Sequence, residues 1–123
     1  MPSPEVLQRF IATVESNAHV EAIEEFYAAH ASMQENELPA RIGRDALVTH
    51  ERNVLSRARS VTSECVRPVF VNGDRVIIRW VFRFEAHDGT TTRMDELAYQ
   101  LWEGDRIVAE KFYYDPRQLQ ARR

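Results

Sequence analysis

The sequence is poor in the features that make disulfides, membrane spans and nucleic-acid surfaces. It has one cysteine, Cys65, so no disulfide can form within the chain. No run approaches the roughly 20 apolar residues of a membrane helix, and the first residues lack the basic and apolar segments of a secretion signal. Lys and Arg number 16 against 19 Asp and Glu, which leaves no broad basic field for phosphates. We therefore expect a cytoplasmic protein with no nucleic-acid partner and no membrane partner.

Motifs for cofactors and metals are also missing from the sequence. The four glycines occur singly, outside any phosphate-binding loop, and there is no GxSxG sequence. The four histidines are dispersed, without the HxH or HExxH spacing of a metal site. Cys65 lies between Glu64 and Val66, with no basic neighbour to activate it, so we interpret it as a buried apolar residue. The sequence predicts no metal and no cofactor.

What the chain does contain is typical of one soluble domain. Its 123 residues are 44% hydrophobic and 28% charged, which is enough apolar material for one core and too short a chain for two. We therefore expect a single domain that covers residues 1–123.

Three helices are predicted in the first half of the chain. The first covers about residues 4–15, where apolar side chains recur every three or four positions. Asn17 is placed to cap the second, which we expect to end near Ala29 or His30. Gly43 opens the third.

A polar loop is predicted between the second and third helices. Ser32 to Gln34 reads as a short strand, and the polar residues 35–37 and Pro39 then interrupt any periodicity. This places Glu35 in a loop at the end of the second helix.

From Ser60 onward the pattern alternates between apolar and polar residues, as in strands. Tight turns separate the predicted strands, which are Val66 to Val71, Arg75 to Glu85, Thr90 to Trp102 and Arg106 to Tyr114. Helices followed by a four-stranded meander favour an α+β fold, with three N-terminal helices packed on one face of a curved antiparallel sheet.

Alternation also divides each strand into two faces. Trp80, Phe82 and Phe84 share one face of their strand, and that face must be covered. On the next strand one possible inward set is Glu96, Ala98, Gln100 and Trp102. On the last strand two sets remain open, Glu110, Phe112 and Tyr114 or Ala109, Lys111 and Tyr113.

The order of elements resembles a known superfamily, through the segments VLQRFIATVESNAHVEAIEEFYAAHASMQEN, GRDALVTH and ELAYQLWEGDRIVAEKFYYDP. These segments are similar to the NTF2-like proteins, which include ketosteroid isomerases, SnoaL-type polyketide cyclases, scytalone dehydratase and limonene epoxide hydrolase. The resemblance covers essentially the whole chain and implies an NTF2-like cone with a strongly curved sheet. Because this scaffold hosts many chemistries, the resemblance implies the fold more firmly than the reaction.

The resemblance to ketosteroid isomerase extends to individual positions. The general-base aspartate of that enzyme corresponds to Glu35 here, and its two oxyanion donors fall on Phe10 and about Ala98. The resemblance also favours Glu110 and its alternate neighbours as the inward face of the last strand. The aspartate of the SnoaL-type cyclases has a counterpart near Asp115 or Glu110.

Our first hypothesis from the sequence is a SnoaL-like enzyme, or a vestigial enzyme, that binds a small apolar, cyclic or carbonyl-bearing molecule. Glu35 would be the base of an isomerase, cyclase or dehydratase type of reaction. Asn36 and Gln100 would orient polar atoms of the ligand, while Glu96, Glu110 and Tyr114 would tune or donate. The remaining predicted ligand contacts are Phe10, Tyr27, His50, Trp80, Phe82 and Phe112.

The second hypothesis is a non-catalytic module of the same fold, used for ligand binding or dimerisation. On the outer face of the sheet, Ile77, Val81, Leu97 and Leu101 alternate with charged residues. Apolar residues on both sides of these strands predict a homodimer formed through the sheet.

Structural interpretations of the same residues remain open. Glu96 and Glu110 would have a purely structural role if they form cross-strand ion pairs with Arg79, Arg83 or Lys111.

The helix and loop candidates also have ordinary alternatives. His50 would be a histidine at the edge of the core, and Glu51 would form a surface pair along its helix. Glu35 would be a solvated loop residue.

Overall fold

The secondary structure is taken from a computed structural model that describes residues 1–119. The helices are α1 (Pro4–Glu15), α2 (His19–Phe26) and α3 (Arg44–Ser56), with a 3-10 turn at Pro116–Leu119. The strands are β1 (Tyr27–Glu35), β2 (Arg41–Ile42), β3 (Ala58–Asn72), β4 (Arg75–Ala86), β5 (Thr91–Glu103) and β6 (Arg106–Tyr113).

The strands form one curved, mostly antiparallel sheet in the order β2-β1-β6-β5-β4-β3. Its exception is the pairing of β1 with β6, which is parallel. The α+β class is confirmed, but two details of the prediction are wrong. The described sheet has six strands, because β1, of which only residues 32–34 were predicted, and β2, which was not predicted, join the four-stranded meander. These two strands separate α2 from α3, so the three helices do not come first in the chain.

The first and third helices begin where the sequence predicted. The hydroxyl of Ser3 accepts a hydrogen bond from the amide of Val6 at 3.2 Å, and Pro4 occupies the first helical position. Gly43 precedes α3 with a φ of 100°, a conformation that side-chain-bearing residues rarely adopt. The helix boundaries at these two points are therefore fixed by local chemistry.

The second helix is shorter than predicted, because the chain enters the sheet at Tyr27. Pairing with β6 along residues 27–35 satisfies the backbone groups that a longer helix would have used. Asn17 does not cap this helix. It adopts a φ of 69°, and its side chain accepts a hydrogen bond from the amide of Ser63 at 3.0 Å, which ties the turn before α2 to β3.

Strand β3 is also longer than the predicted segment of residues 66–71. It pairs with β4 from Ala58 to Asn72, with a register shift between Val66 and Phe70. Among its residues only Cys65 is buried. The strand is held by backbone pairing more than by apolar side chains, which explains why its sequence pattern is weak.

The core lies between the helices and the concave face of the sheet. Phe10 of α1 is its centre, with the rings of Phe26, Tyr27 and Trp102 packed edge-on around it at centroid distances of 5.4, 6.2 and 5.8 Å. Cys65 is buried as expected, and burial raises the pKa of its thiol. Within residues 1–119, no helix is both long and apolar enough to cross a membrane. The cytoplasmic location stays a prediction.

We expect Phe10→Ala to lower the free energy of unfolding by about 3–5 kcal/mol, because the side chain is only 2% exposed and its loss leaves a cavity. Urea titration followed by circular dichroism measures this difference. Phe70→Ala is the matched control, since Phe70 is 61% exposed and its loss should cost no more than roughly 0.5 kcal/mol. Equal losses in the two variants would contradict the placement of Phe10 at the centre of the core.

Candidate functional site

A cavity opens between the helices and the concave face of the sheet, and it has two connected parts. The inner chamber, of about 80 Å³, is bounded by α1, α2 and the sheet. The outer chamber, of about 140 Å³, is bounded by α3, β2 and the ends of the strands. The residues that line both chambers are His19, Met33, Glu51, Phe82 and Phe112.

Glu35 lies in the wall of the outer chamber. It is the last residue of β1, in register with Phe112 of β6, so its prediction as a loop residue is wrong. One carboxylate oxygen accepts a hydrogen bond from the Tyr114 hydroxyl at 3.1 Å, and the other pairs with the Arg41 guanidinium at 3.2 Å. Its side chain is 29% exposed. Glu35 is therefore a held carboxylate at the mouth of the cavity.

Tyr114 keeps its proton in this arrangement. Burial raises the pKa of its hydroxyl to about 12, and the neighbouring Glu35 carboxylate acts in the same direction. The hydroxyl is thus a lasting hydrogen-bond donor to Glu35.

Glu96 projects from β5 into the outer chamber, opposite Trp80 of β4 in the sheet register. It is only 5% exposed, and its carboxyl group has no hydrogen-bond or ion-pair partner within the described part of the chain. Burial raises its pKa to about 8, with further contributions from the carboxylates of Glu110, Glu35 and Glu51. At neutral pH this carboxyl group holds its proton.

Glu110 is the centre of a buried hydrogen-bond network at the inner chamber. The Tyr27 hydroxyl donates to one of its oxygens, and the Gln100 amide donates to the other at 2.6 Å. The Trp102 indole N–H donates to the Gln100 carbonyl oxygen at 2.9 Å. Because an indole can only donate, it fixes which end of the amide faces Glu110. Burial raises the pKa of Glu110 to about 7, against the lowering effect of the two hydrogen bonds.

Two polar residues of α3, His50 and Glu51, also face the cavity. Glu51 lines both chambers and His50 lines the outer one. Burial raises the pKa of Glu51, and the Glu35 carboxylate adds to this. Burial lowers the pKa of His50, with the Arg41 guanidinium as the second cause. Glu51 therefore does not occupy the surface position that the sequence left open for it, whereas His50 is half-buried at the edge of the core.

The cross-strand pairing considered for Glu96 and Glu110 does not occur among the described residues. The cations concerned pair elsewhere, Arg79 with Asp95 at 2.6 Å, Arg83 with Glu64 at 3.5 Å and Lys111 with Glu37 at 2.9 Å. The structure instead turns both glutamates toward the cavity, as the inward parity predicted.

The predicted aromatic contacts largely come together. The residues that line the inner chamber include Phe10, Tyr27, Trp80, Phe82 and Phe112.

Two predicted polar contacts do not reach the cavity wall. The Asn36 side chain accepts a hydrogen bond from the Tyr114 amide at 3.0 Å and lines neither chamber. Gln100 is fully buried, and its amide group is engaged by Glu110 and Trp102. Both residues position other side chains rather than contact the space available to a ligand.

The sequence prediction missed two residues of the site. Arg41 reaches Glu35 because β2, only two residues long, pairs with β1. His19 lines both chambers and shares a hydrogen bond with the Ser63 hydroxyl, while burial lowers its pKa. Neither residue lies in a motif, so no sequence signal marked them.

Across residues 1–119, no three His, Cys, Asp or Glu side chains are grouped as metal ligands would be.

Comparison with known proteins identifies a family for this chain. A family model described as a SnoaL-like domain matches residues 7–110. No curated protein matches the chain in sequence.

Solved structures similar to this chain share its fold at low sequence identity. A Mesorhizobium loti protein classed with the SnoaL-like polyketide cyclases has a TM-score of 0.75 and 23% identity, covering 89% of this chain and 97% of that one. An NTF2-like protein of unknown function from Burkholderia pseudomallei has a TM-score of 0.79 and 11% identity, with coverages of 94% and 92%. An LEH-like epoxide hydrolase of M. tuberculosis has a TM-score of 0.73 and 12% identity, with coverages of 93% and 83%. The NTF2-like α+β fold is thereby confirmed.

The raised pKa of Glu96 makes a prediction about stability. A carboxyl group whose pKa is about 8 when folded and 4.5 otherwise favours the folded state at low pH and opposes it increasingly as pH rises through that window. Glu96→Gln should therefore leave the free energy of unfolding nearly unchanged at pH 4.5 and raise it by on the order of 3 kcal/mol at pH 8. Urea titrations at the two pH values measure the difference.

Glu103→Gln, at the exposed end of the same strand, is the matched control and should have little effect at either pH. A Glu96→Gln effect that is equal at pH 4.5 and pH 8 would contradict the burial of an unpaired carboxyl group.

Proposed function

The chain belongs to the SnoaL-like domain family, and we propose that it is a cofactor-independent acid–base enzyme acting on a small apolar, cyclic or carbonyl-bearing molecule. One observation carries this proposal. A held carboxylate, Glu35, and a buried carboxyl group that has no partner within residues 1–119, Glu96, line the same chamber. Two acids whose surroundings differ in this way are suited to opposite roles in proton transfer.

Glu35 is the base in this proposal. The Arg41 guanidinium and the Tyr114 hydroxyl each contact one of its oxygens, which fixes the orientation of the carboxylate. Its place at the mouth of the chamber lets it reach a C–H bond of a bound molecule.

Glu96 is the proton donor. With a pKa raised to about 8, it is protonated at neutral pH and can donate a hydrogen bond to an oxygen of the ligand. The two oxyanion donors of ketosteroid isomerase correspond to Phe10 and Ala98, which cannot donate from their side chains. Glu96 lies two residues before Ala98 on the same face of β5, and it supplies the missing donor there.

The first proton transfers are the same for isomerisation, cyclisation and dehydration. Glu35 accepts a proton from carbon, and Glu96 gives a proton to the oxygen on which negative charge develops or which leaves as water. In cyclisation and dehydration, return of the proton from Glu35 to Glu96, directly or through solvent, restores the starting state. In isomerisation, Glu35 instead gives its proton to a different carbon of the molecule, and Glu96 takes back the proton that it gave to the oxygen. The proposal therefore covers this set of reactions rather than one of them.

The alternative is a binding or dimerisation module, and one feature of the sheet favours an association role alongside catalysis. On its outer face Leu97, Tyr99 and Tyr113 are 44%, 39% and 46% exposed, although they lie in the middle of the sheet. Leu97 and Tyr113 are register partners in β5 and β6. We propose that these three residues, the outer patch, form the homodimer interface.

The first experiment identifies small molecules that copurify with the protein by mass spectrometry and then follows exchange of their carbon-bound hydrogen with deuterated solvent. Glu35→Gln should slow this exchange at least a hundredfold, because loss of a positioned base costs about 10²–10⁴ in rate. Glu37→Gln is the control, since that side chain is 88% exposed and outside the cavity lining. Unchanged exchange in Glu35→Gln would remove the proposed mechanism.

The second experiment measures molar mass by light scattering at micromolar concentration. The wild type should have the mass of a dimer, and Leu97→Arg should have the mass of a monomer, because it places an unpaired charge in the outer patch. Leu38→Arg, in an exposed loop, should remain dimeric. A monomeric wild type would rule out the dimer.

A further inference from the structure

The cavity has more acidic groups than basic ones to balance them. Four glutamates line its two chambers, Glu35, Glu51, Glu96 and Glu110. Within the described chain the only lysine or arginine in that lining is Arg41, and it is paired with Glu35 at 3.2 Å. The remaining three glutamates therefore face the cavity without a cation.

The histidines of the cavity do not supply the missing charge. Burial lowers the pKa of both His19 and His50, so both are neutral at and above pH 7. The two histidines therefore add no positive charge to the cavity lining at and above pH 7.

Glu96 provides a second observation that points to a ligand. It is 95% buried, lies in the chamber wall and has no partner within residues 1–119. A buried carboxyl group without a partner costs free energy that an apolar residue of similar size would not. A binding role explains the presence of Glu96, because a ligand can provide the hydrogen-bond or ion-pair partner that is missing within residues 1–119.

The apolar walls of the cavity are also suited to a cation. The rings of Trp80 and Phe82 stack at a centroid distance of 6.0 Å. Phe82 and Phe112 line both chambers, so they reach the outer chamber that holds Glu96, while Trp80 lines the inner chamber. Aromatic ring faces attract ammonium groups, most strongly where water is excluded. Acids and aromatic rings around one space form the kind of surface that binds an alkylated nitrogen.

We infer that the ligand of this cavity is a small apolar molecule that carries a positively charged nitrogen, held between Glu96 and the aromatic wall. The inference builds on the proposed function and names the substrate class of the same site. In that complex Glu96 is the ionised partner of the ammonium group, so the proton donor of the proposed reaction is then Glu110 instead of Glu96, because burial raises the pKa of Glu110 to about 7.

Two probes of the same shape test this inference. Choline and 3,3-dimethylbutan-1-ol differ only in that the first has a quaternary nitrogen where the second has carbon. Titration of each into the protein is followed by NMR at the indole N–H signals of Trp80 and Trp102, the two tryptophans of the chain. Choline should bind at least tenfold more tightly at pH 8.

The preference for choline over 3,3-dimethylbutan-1-ol should increase as the pH rises. Ionised Glu96 attracts the cation, so choline affinity should rise between pH 6 and pH 8 and level off above the pKa of that carboxyl group. The groups with shifted pKa values that face Glu96 act in the same direction, since raising the pH removes protons from them. They are Glu51 and His50 on α3, His19 on α2 and Glu110 on β6. Glu35 on β1 and Arg41 on β2 also line the cavity, as an ion pair with each other.

The isosteric variant Glu96→Gln assigns the effect to one residue. It should lose at least tenfold in choline affinity at pH 8 and flatten the pH dependence, while binding of the neutral alcohol stays the same or improves. Glu103→Gln, an exposed acid on the same strand, should leave choline affinity and its pH dependence unchanged.

Three outcomes would overturn the inference. They are equal or tighter binding of the neutral alcohol, no indole shift with either probe at tens of millimolar, and choline binding that survives Glu96→Gln. The exchange experiment with Glu35→Gln is separate from all three. A cavity that favours neutral molecules and still shows Glu35-dependent exchange would refute the cationic ligand and leave the acid–base function standing.

Discussion

The parallel pairing of β1 with β6 is the interaction on which the site depends. It joins residues 27–35 to the last strand and aligns Glu35 with Phe112. The same pairing gives β2 a strand to bind, and β2 brings Arg41 to the Glu35 carboxylate. Without it the concave sheet would have a meander of four strands and no wall on the side where the base lies.

Desolvation then decides the chemistry of the groups that this pairing assembles. Glu35, at the mouth, is held by two donors, whereas Glu96 keeps its proton at neutral pH because of burial and its acidic neighbours. In Glu110 two hydrogen bonds oppose the effect of burial on the pKa. Residues of one type thus have different surroundings within one cavity, and position alone makes the difference.

The sequence predicted those features that local chemistry determines. The cap at Ser3, the glycine before α3 and the alternation that turns Glu96 and Glu110 inward are all encoded within a few residues. Non-local features were missed. Ala28 and Ala29 are good helix formers, yet they lie in β1, between Tyr27 and Ser32, which both pair with a strand about eighty residues away, and this pairing overrides local propensity.

Burial explains the other gaps in the prediction. Strand β3 has one buried residue, so its length could not be inferred from apolar spacing. Arg41 follows a proline-containing loop and reaches the site only through a two-residue strand. The pKa shifts required knowledge of which carboxyl groups are enclosed together, and that knowledge comes from the three-dimensional arrangement rather than from spacing along the chain.

The chain of donors from Trp102 through Gln100 to Glu110 has a consequence for how this protein can diverge or be engineered. Trp102 is fully buried and lines neither chamber, yet it orients the amide that helps set the acidity of Glu110. Replacing the indole would free the amide to rotate and would change the pKa of that acid, although Trp102 itself does not line the cavity. Mutational libraries restricted to cavity-lining positions would overlook this control, and it is available to natural variation at a position that resembles ordinary core.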